Sequence, residues 1–217
     1  VADLKEFFQI GQETEGMSAD ERNPQVEEVP EFMELGMKLY RAFEQKGNSL
    51  LRAIALHLGL PEGYFGEYTN EGVSILRAIH YPPIRNEPAS AIRAEQHEDI
   101  NLITLLVGAS AGGLQLQNAD GEWQEIVPEN DEIVINVGDM LQRLTNNYLK
   151  STTHRVVNPP RELMKTSRYS IPFFMHPRSE MDLTCLENCI DADNPKQYDD
   201  ITAGDFLNQR LAAICLK

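Results

Sequence analysis

The chain has 217 residues, enough for one substantial core, and its 41% apolar content is ordinary for a water-soluble domain. With 34 acidic against 19 basic side chains, a formal charge of −15 opposes attraction to phosphate backbones and anionic membranes, although a local basic pocket is compatible with an acidic whole. Small molecules are therefore the expected partners, with no role for nucleic acid or membrane.

No apolar run approaches a membrane span, and "VADLKEFFQIGQE" has the layout of neither a signal peptide nor a basic transit segment, so a soluble, cytoplasmic protein is expected. Residues 11 to 30 are acidic and polar, with Asn23-Pro24 and Pro30, and read as a surface arm. From Glu31 to Leu58, Phe32, Leu35, Leu39, Phe43, Leu50, Ile54 and Leu58 recur at mostly three- and four-residue steps, which predicts one helix, or two joined near "KGNS". Gly59 and Pro61 end it.

After residue 73 the period becomes strand-like: "VSILRAIHY", "INLITLLV", "GLQLQ", "EIVINV", "HRVV" and "RYSIPFF" predict an all-β core. In "LQLQNADGEW" alternating Leu and Gln give way to turn chemistry before Trp123, which predicts a hairpin. Cys185, Cys189 and Cys215 make no disulfide framework and fit reduced thiols. Thr202 with Asp205, ahead of Phe206, Leu207, Leu211 and Ile214, predicts a capped closing helix. The expected division is an N-terminal arm and helical region at 1–72, a β core at 73–190, and a C-terminal helical segment at 191–217.

Chemistry concentrates in "AEQHEDINLITLLV", residues 94 to 107. Positions i and i+2 of an extended segment share a face, so His97 and Asp99 can converge while Glu98 faces elsewhere. A third metal ligand would come from His154 in "KSTTHRVVNPP", and two histidines with one carboxylate leave one face of an octahedral iron(II) open. The zinc-protease helix fails at Asn101, where it needs histidine, and no G-x-S-x-G is present for a serine nucleophile. Alone, H-x-D is better explained by polar surface residues beside an unrelated histidine. Arg168 and Ser170 in "RYSIPFF" also sit two apart, able to share one acceptor such as a carboxylate, with an ordinary ion pair as the alternative.

Together "HED" at 97 to 99, His154 and "RYS" at 168 to 170 resemble the iron(II)- and 2-oxoglutarate-dependent dioxygenases, within them the isopenicillin N synthase-like group. "ILRAIHYPP", "GGLQLQNADGEW", "VINVGDMLQRLTNN", "STTHRVVNPP" and "RYSIPFF" extend the likeness over residues 4 to 180. The resemblance implies a double-stranded β-helix, or distorted jelly roll, with Fe(II) held by His97, Asp99 and His154. It implies 2-oxoglutarate as cosubstrate on Arg168, Ser170 and Tyr81, dioxygen as oxidant, and Phe174 against the substrate. The expected activity is oxidation, by default hydroxylation, of a small organic molecule with release of succinate and CO2.

Ile79 replaces an asparagine common two residues before the tyrosine, Glu98 replaces a common threonine, and the resemblance implies a further N-terminal stretch ahead of "DLKEFF". Two other readings stay open: an iron oxidase that draws all its electrons from substrate, and a catalytically silent jelly roll that binds a small acid or a partner. His57, His80 and His176 read as packing or surface residues, and Asp139, after Gly138, as a turn or capping residue.

Overall fold

A computed structural model describes residues 2–215 except 19, 21, 87, 89, 108 and 130; the side chains of Ile214 and Cys215, both named in the sequence reading, lie outside the described set. In chain order the elements are β1 (Glu6–Gly11), α1 (Glu31–His57), α2 (Gly66–Thr69), β2 (Ile75–Tyr81), β3 (Ala94–His97), β4 (Ile103–Val107), β5 (Leu114–Gln117), β6 (Trp123–Glu125), β7 (Ile133–Val137), α3 (Asp139–Leu144), β8 (His154–Val156), β9 (Arg168–Met175) and α4 (Ala203–Cys215). The strands form two antiparallel sheets, one ordered β1-β2-β9-β4-β7 and the other β3-β8-β5-β6. A cleft between them is lined from both, in the arrangement of a double-stranded β-helix.

Alternation along β9 decides which residues meet which layer. Arg168, Ser170, Pro172 and Phe174 face the cleft, while Phe173 and Met175 face outward onto α1. Tyr40 meets the Phe173 ring edge-on at 5.0 Å and Phe43 stacks on it at 5.7 Å. At this crossing a Cβ on Gly47 would lie 2.4 Å from Met175 Sδ, so a larger residue there would displace the end of the Met175 side chain. Full burial of Phe173 contributes roughly 2–3 kcal/mol, and the two aromatic contacts add to it.

The helix is a single uninterrupted element through "KGNS". Its buried face runs through Met33, Tyr40, Phe43, Gly47, Leu51 and Ala55. Leu35, placed in the apolar stripe by sequence, points to solvent at 61% exposure, because the face that meets the sheet is centred on Tyr40 and Phe43. Gly59 ends the helix with φ +68°, and Leu60 N–H donates to Ala55 O at 2.9 Å, closing the last turn.

The β5–β6 hairpin forms as expected. Asn118 Oδ1 accepts from the N–H groups of Asp120 and Glu122, at 3.0 and 2.8 Å, and Gly121 takes φ +81°. Thr202 Oγ1 accepts from Asp205 N–H at 3.2 Å and caps α4. β1 was not anticipated: it joins the larger sheet as an edge strand, and only Ile10 in it is buried, so its sequence carries little apolar alternation. Among the described residues no helix is long and apolar enough to cross a membrane.

Candidate metal and ligand site

His97 is the last residue of β3 and lies opposite His154 of β8 in register, with ring centroids 4.3 Å apart. Asp99 lies two residues beyond the end of β3 and belongs to no strand. The chain bends after His97, and the turn is tied to the start of α3: Asp139 N–H donates to Asp99 O at 2.7 Å, Met140 N–H to Asn101 O at 3.1 Å, and Gly138 N–H to Leu102 O at 2.9 Å. Only glycine fits at 138, since a Cβ would come within 2.3 Å of Asn101 O.

The three side chains nevertheless converge. Asp99 Oδ1 lies 4.0 Å from His97 Nε2 and 3.9 Å from His154 Nε2, and one donor atom of each residue falls within 4.8 Å of the others. Among the described residues no other trio of His, Cys, Asp or Glu is grouped in this way. Nδ1 of His97 donates to Glu95 O at 2.6 Å and Nδ1 of His154 to Thr152 O at 3.0 Å, which leaves both Nε2 lone pairs directed at the common point.

Asp99 is almost fully buried and its Oδ2 accepts from Thr104 Oγ1 at 2.7 Å and Asn136 Nδ2 at 2.9 Å, so Oδ1 is the free ligand atom. Burial raises the carboxyl's pKa, but His154, the two hydrogen bonds and His97 outweigh it and hold the group below the usual carboxylate range. The crowded mouth of the cleft, with His154 beside it, holds the His97 imidazole below its ordinary value, in the neutral form that ligates a metal. Glu98 turns away and accepts from Thr153 Oγ1 at 2.8 Å.

The triad opens into a cleft with apolar walls that include Leu106, Leu114, Leu116 and Val134. At its far end Tyr81 lies opposite Arg168 in register, with the guanidinium carbon 4.8 Å from the ring centroid. Arg168 is 1% exposed; its Nε donates to Ala111 O at 3.0 Å and Gly112 O at 3.2 Å, and its buried Nη1 has no partner among the described residues. No carboxylate pairs with it among those residues, so the ordinary ion pair that sequence left open is not formed there. Burial lowers its pKa and Tyr81 opposes that shift. Ser170 faces the same cleft, as does Phe174.

His176 is buried beyond the end of β9 and outside the metal-facing group. Asp139 makes no side-chain cap; it pairs with Arg210 Nη2 of α4 at 3.1 Å, which corrects the capping role read from sequence. Sequence reasoning missed Thr104, Asn136 and Arg77 as cleft residues, although each is a polar residue inside an otherwise apolar strand run.

Residues 72–177 match the family model of the 2OG-Fe(II) oxygenase superfamily. A 2OG-Fe(II) oxygenase family protein from Caulobacter crescentus has a crystal structure similar to this one, with a TM-score of 0.88 and 44% identity over 98% of this chain and 70% of that chain. The chain belongs to this superfamily. A full-length Neurospora crassa protein, solved in complex with alpha-KG and thymine, is similar at a TM-score of 0.86 and 31% identity, covering 98% of this oxygenase-family chain and 66% of that one. A 2-oxoglutarate-Fe(II) type oxidoreductase from Emericella nidulans is 33% identical over 84% of the chain and 52% of its own length. The chain thus spans about half the length of the curated relatives it matches. His97, Asp99, His154, Tyr81, Arg168, Ser170 and Phe174 all fall inside the matched span.

Proposed function

We propose that this chain holds Fe(II) on His97 Nε2, Asp99 Oδ1 and His154 Nε2, binds 2-oxoglutarate on Arg168, Ser170 and Tyr81, and with dioxygen hydroxylates a small organic molecule. One oxygen atom ends in the product and the other in succinate, while the cosubstrate loses CO2. When bound, the iron would supply the activation of dioxygen. The chain's residues supply positions and an apolar-walled cleft. The two Nδ1–H bonds to backbone carbonyls fix the imidazole tautomers, and the bonds to Asp99 Oδ2 fix which carboxylate oxygen faces the metal. The donor set suits a ferrous ion, since two neutral imidazoles and one carboxylate leave coordination positions for oxygen ligands.

The observation that carries the reading is the buried, unpartnered Nη1 of Arg168 in the cleft that opens on the triad. A buried guanidinium without an acceptor is costly, and a carboxylate matches its planar fork, each charge-assisted bond contributing roughly 1.5–3 kcal/mol. Tyr81 covers the guanidinium face, and Ser170, two residues along the same strand face, offers a hydroxyl to the same acceptor.

An anaerobic titration with Fe(II) and 2-oxoglutarate, followed by the weak visible charge-transfer band of chelated cosubstrate, tests this, with His97→Ala as control. A band in the parent and none in the variant is the expected result. No band in the parent sinks the proposal. Iron-dependent turnover that consumes no 2-oxoglutarate would assign the chain to the oxidase reading, with Arg168 and Ser170 on a substrate carboxylate.

A further inference from the structure

Arg77 also faces the cleft, and the function proposed above leaves it unused. It follows Ile75 and precedes Ile79 on β2, and those neighbours pair with Phe174 and Ser170 of β9, so Arg77 stands nearer Phe174 than the Arg168 end. Thr104, which bonds Asp99, also pairs with Phe174, which places this part of the sheet beside the triad. The guanidinium carbon of Arg77 is 4.7 Å from the centroid of Phe7 and 4.7 Å from that of Phe174, so two rings fix its direction. With the Gln9 amide turned so that its oxygen faces the guanidinium, that oxygen accepts from Nε at 3.2 Å and Nη2 at 2.8 Å. Two aromatic rings and an amide hold the cation, and none of them neutralises it.

Among the cations that line the cleft, charge accounting leaves Arg77; the buried Arg93, beside Tyr81 but outside that lining, donates to Thr166 O at 3.0 Å. Lys5 lines the same cleft but is paired with Asp3 at 2.7 Å. Under the proposed function, the ferrous ion and Arg168 carry three positive charges, matched by Asp99 and the two carboxylates of 2-oxoglutarate. Arg77 remains, half-buried, with no carboxylate partner among the described residues. A half-buried cation beside apolar walls lacks solvent compensation and attracts an anion.

We infer that Arg77 is the specificity-determining residue of the cleft and that the substrate is a small monocarboxylic acid, its carboxylate on Arg77 and its apolar body along Leu116 and Val134. This rests on the oxygenase reading and adds the substrate class to it. A neutral carbonyl could accept the same hydrogen bonds but would leave the charge uncompensated, so acids are preferred over their amides.

The test uses small aromatic and aliphatic monocarboxylic acids, each matched with its primary amide, added to the anaerobic protein loaded with Fe(II) and 2-oxoglutarate. Dissociation constants are read from the shift of the charge-transfer band and from calorimetry. At least one acid is expected to bind about tenfold or more tightly than its amide. Arg77→Gln is expected to abolish that ratio and Arg77→Lys to retain part of it, with the band from iron and 2-oxoglutarate present in both. Acids and amides bound equally by the parent, or a ratio that survives in Arg77→Gln, would overturn the inference while leaving the oxygenase reading standing. No band in the parent would remove both.

Discussion

Asn136 Nδ2 donates to Asp99 Oδ2 at 2.9 Å, the same oxygen that accepts from Thr104 Oγ1 at 2.7 Å. Thr104 on β4 and Asn136 on β7 are register partners, so two adjacent strands of the larger sheet reach one carboxylate oxygen from below. Asp99 lies outside the strands, just before the bend at residues 100–102, and these bonds set its side-chain direction where no strand does.

Asn136→Ala and Thr104→Val are therefore expected to weaken Fe(II) binding by about tenfold each, in the range that loss of a ligand's hydrogen-bond partner produces. Calorimetric titration under anaerobic conditions measures it. Affinities equal to the parent's in both variants would mean that Asp99 is oriented by its backbone alone.

The backbone of that turn has its own anchor. Gly138→Ala would push a methyl group to within 2.3 Å of Asn101 O, at the point where Gly138 N–H holds Leu102 O. Relief requires the 99–102 turn to move, at roughly 1–3 kcal/mol of stability. The expected result is a lower thermal midpoint together with weaker iron binding; a drop in midpoint with iron affinity intact would separate the turn from the ligand geometry.

What sequence made legible here follows from how locally each feature is encoded. His97, Asp99 and His154, with Arg168 and Ser170 two apart in "RYSIPFF", could be singled out because metal ligation and carboxylate binding demand particular residue types, and their order along the chain resembles that of a known family. The strands β2, β4, β5, β7, β8 and β9 carry their apolar pattern in the residues themselves. By contrast β1 buries one residue and is held mainly by main-chain pairing to β2, which no side-chain pattern records. Leu35 fits the helical period yet is exposed, because the period says that a face exists without saying which way it turns. The bend after Asp99 depends on Gly138 some forty residues downstream, a contact only the folded chain reveals.

Arg168→Lys keeps a positive charge and loses the planar fork. Nε of Arg168 is held by Ala111 O and Gly112 O, which aims the Nη edge into the cleft, and a lysine ammonium cannot make both sets of contacts. The 2-oxoglutarate dissociation constant is expected to rise by about tenfold or more, with Fe(II) affinity near the parent's. Titration of each ligand separately checks this, and an unchanged 2-oxoglutarate constant would place the cosubstrate elsewhere.

His176 gives the pH prediction. Its N–H donates to Ser74 Oγ at 3.1 Å, and Ser74 Oγ in turn donates to its carbonyl at 3.2 Å, while its buried Nδ1 has no partner among the described residues. Burial pushes the imidazole down from 6.5 to about 4, Arg77 adding to the shift and Asp99 opposing it. In the unfolded chain the ring takes a proton near 6.5, in the folded protein only near 4, so between those values the unfolded state binds more protons and stability falls as pH falls. Above the upper value the ring is neutral in both states and the contribution is fully present. Compared with His176→Gln, the metal-free parent is expected to lose on the order of 2–3 kcal/mol of relative stability between about pH 7 and pH 4. Urea midpoints across that range measure the difference, in which titrations common to both proteins cancel. Parallel profiles would show that the folded protein accommodates the charged ring, and that the buried Nδ1 finds a partner when it is protonated.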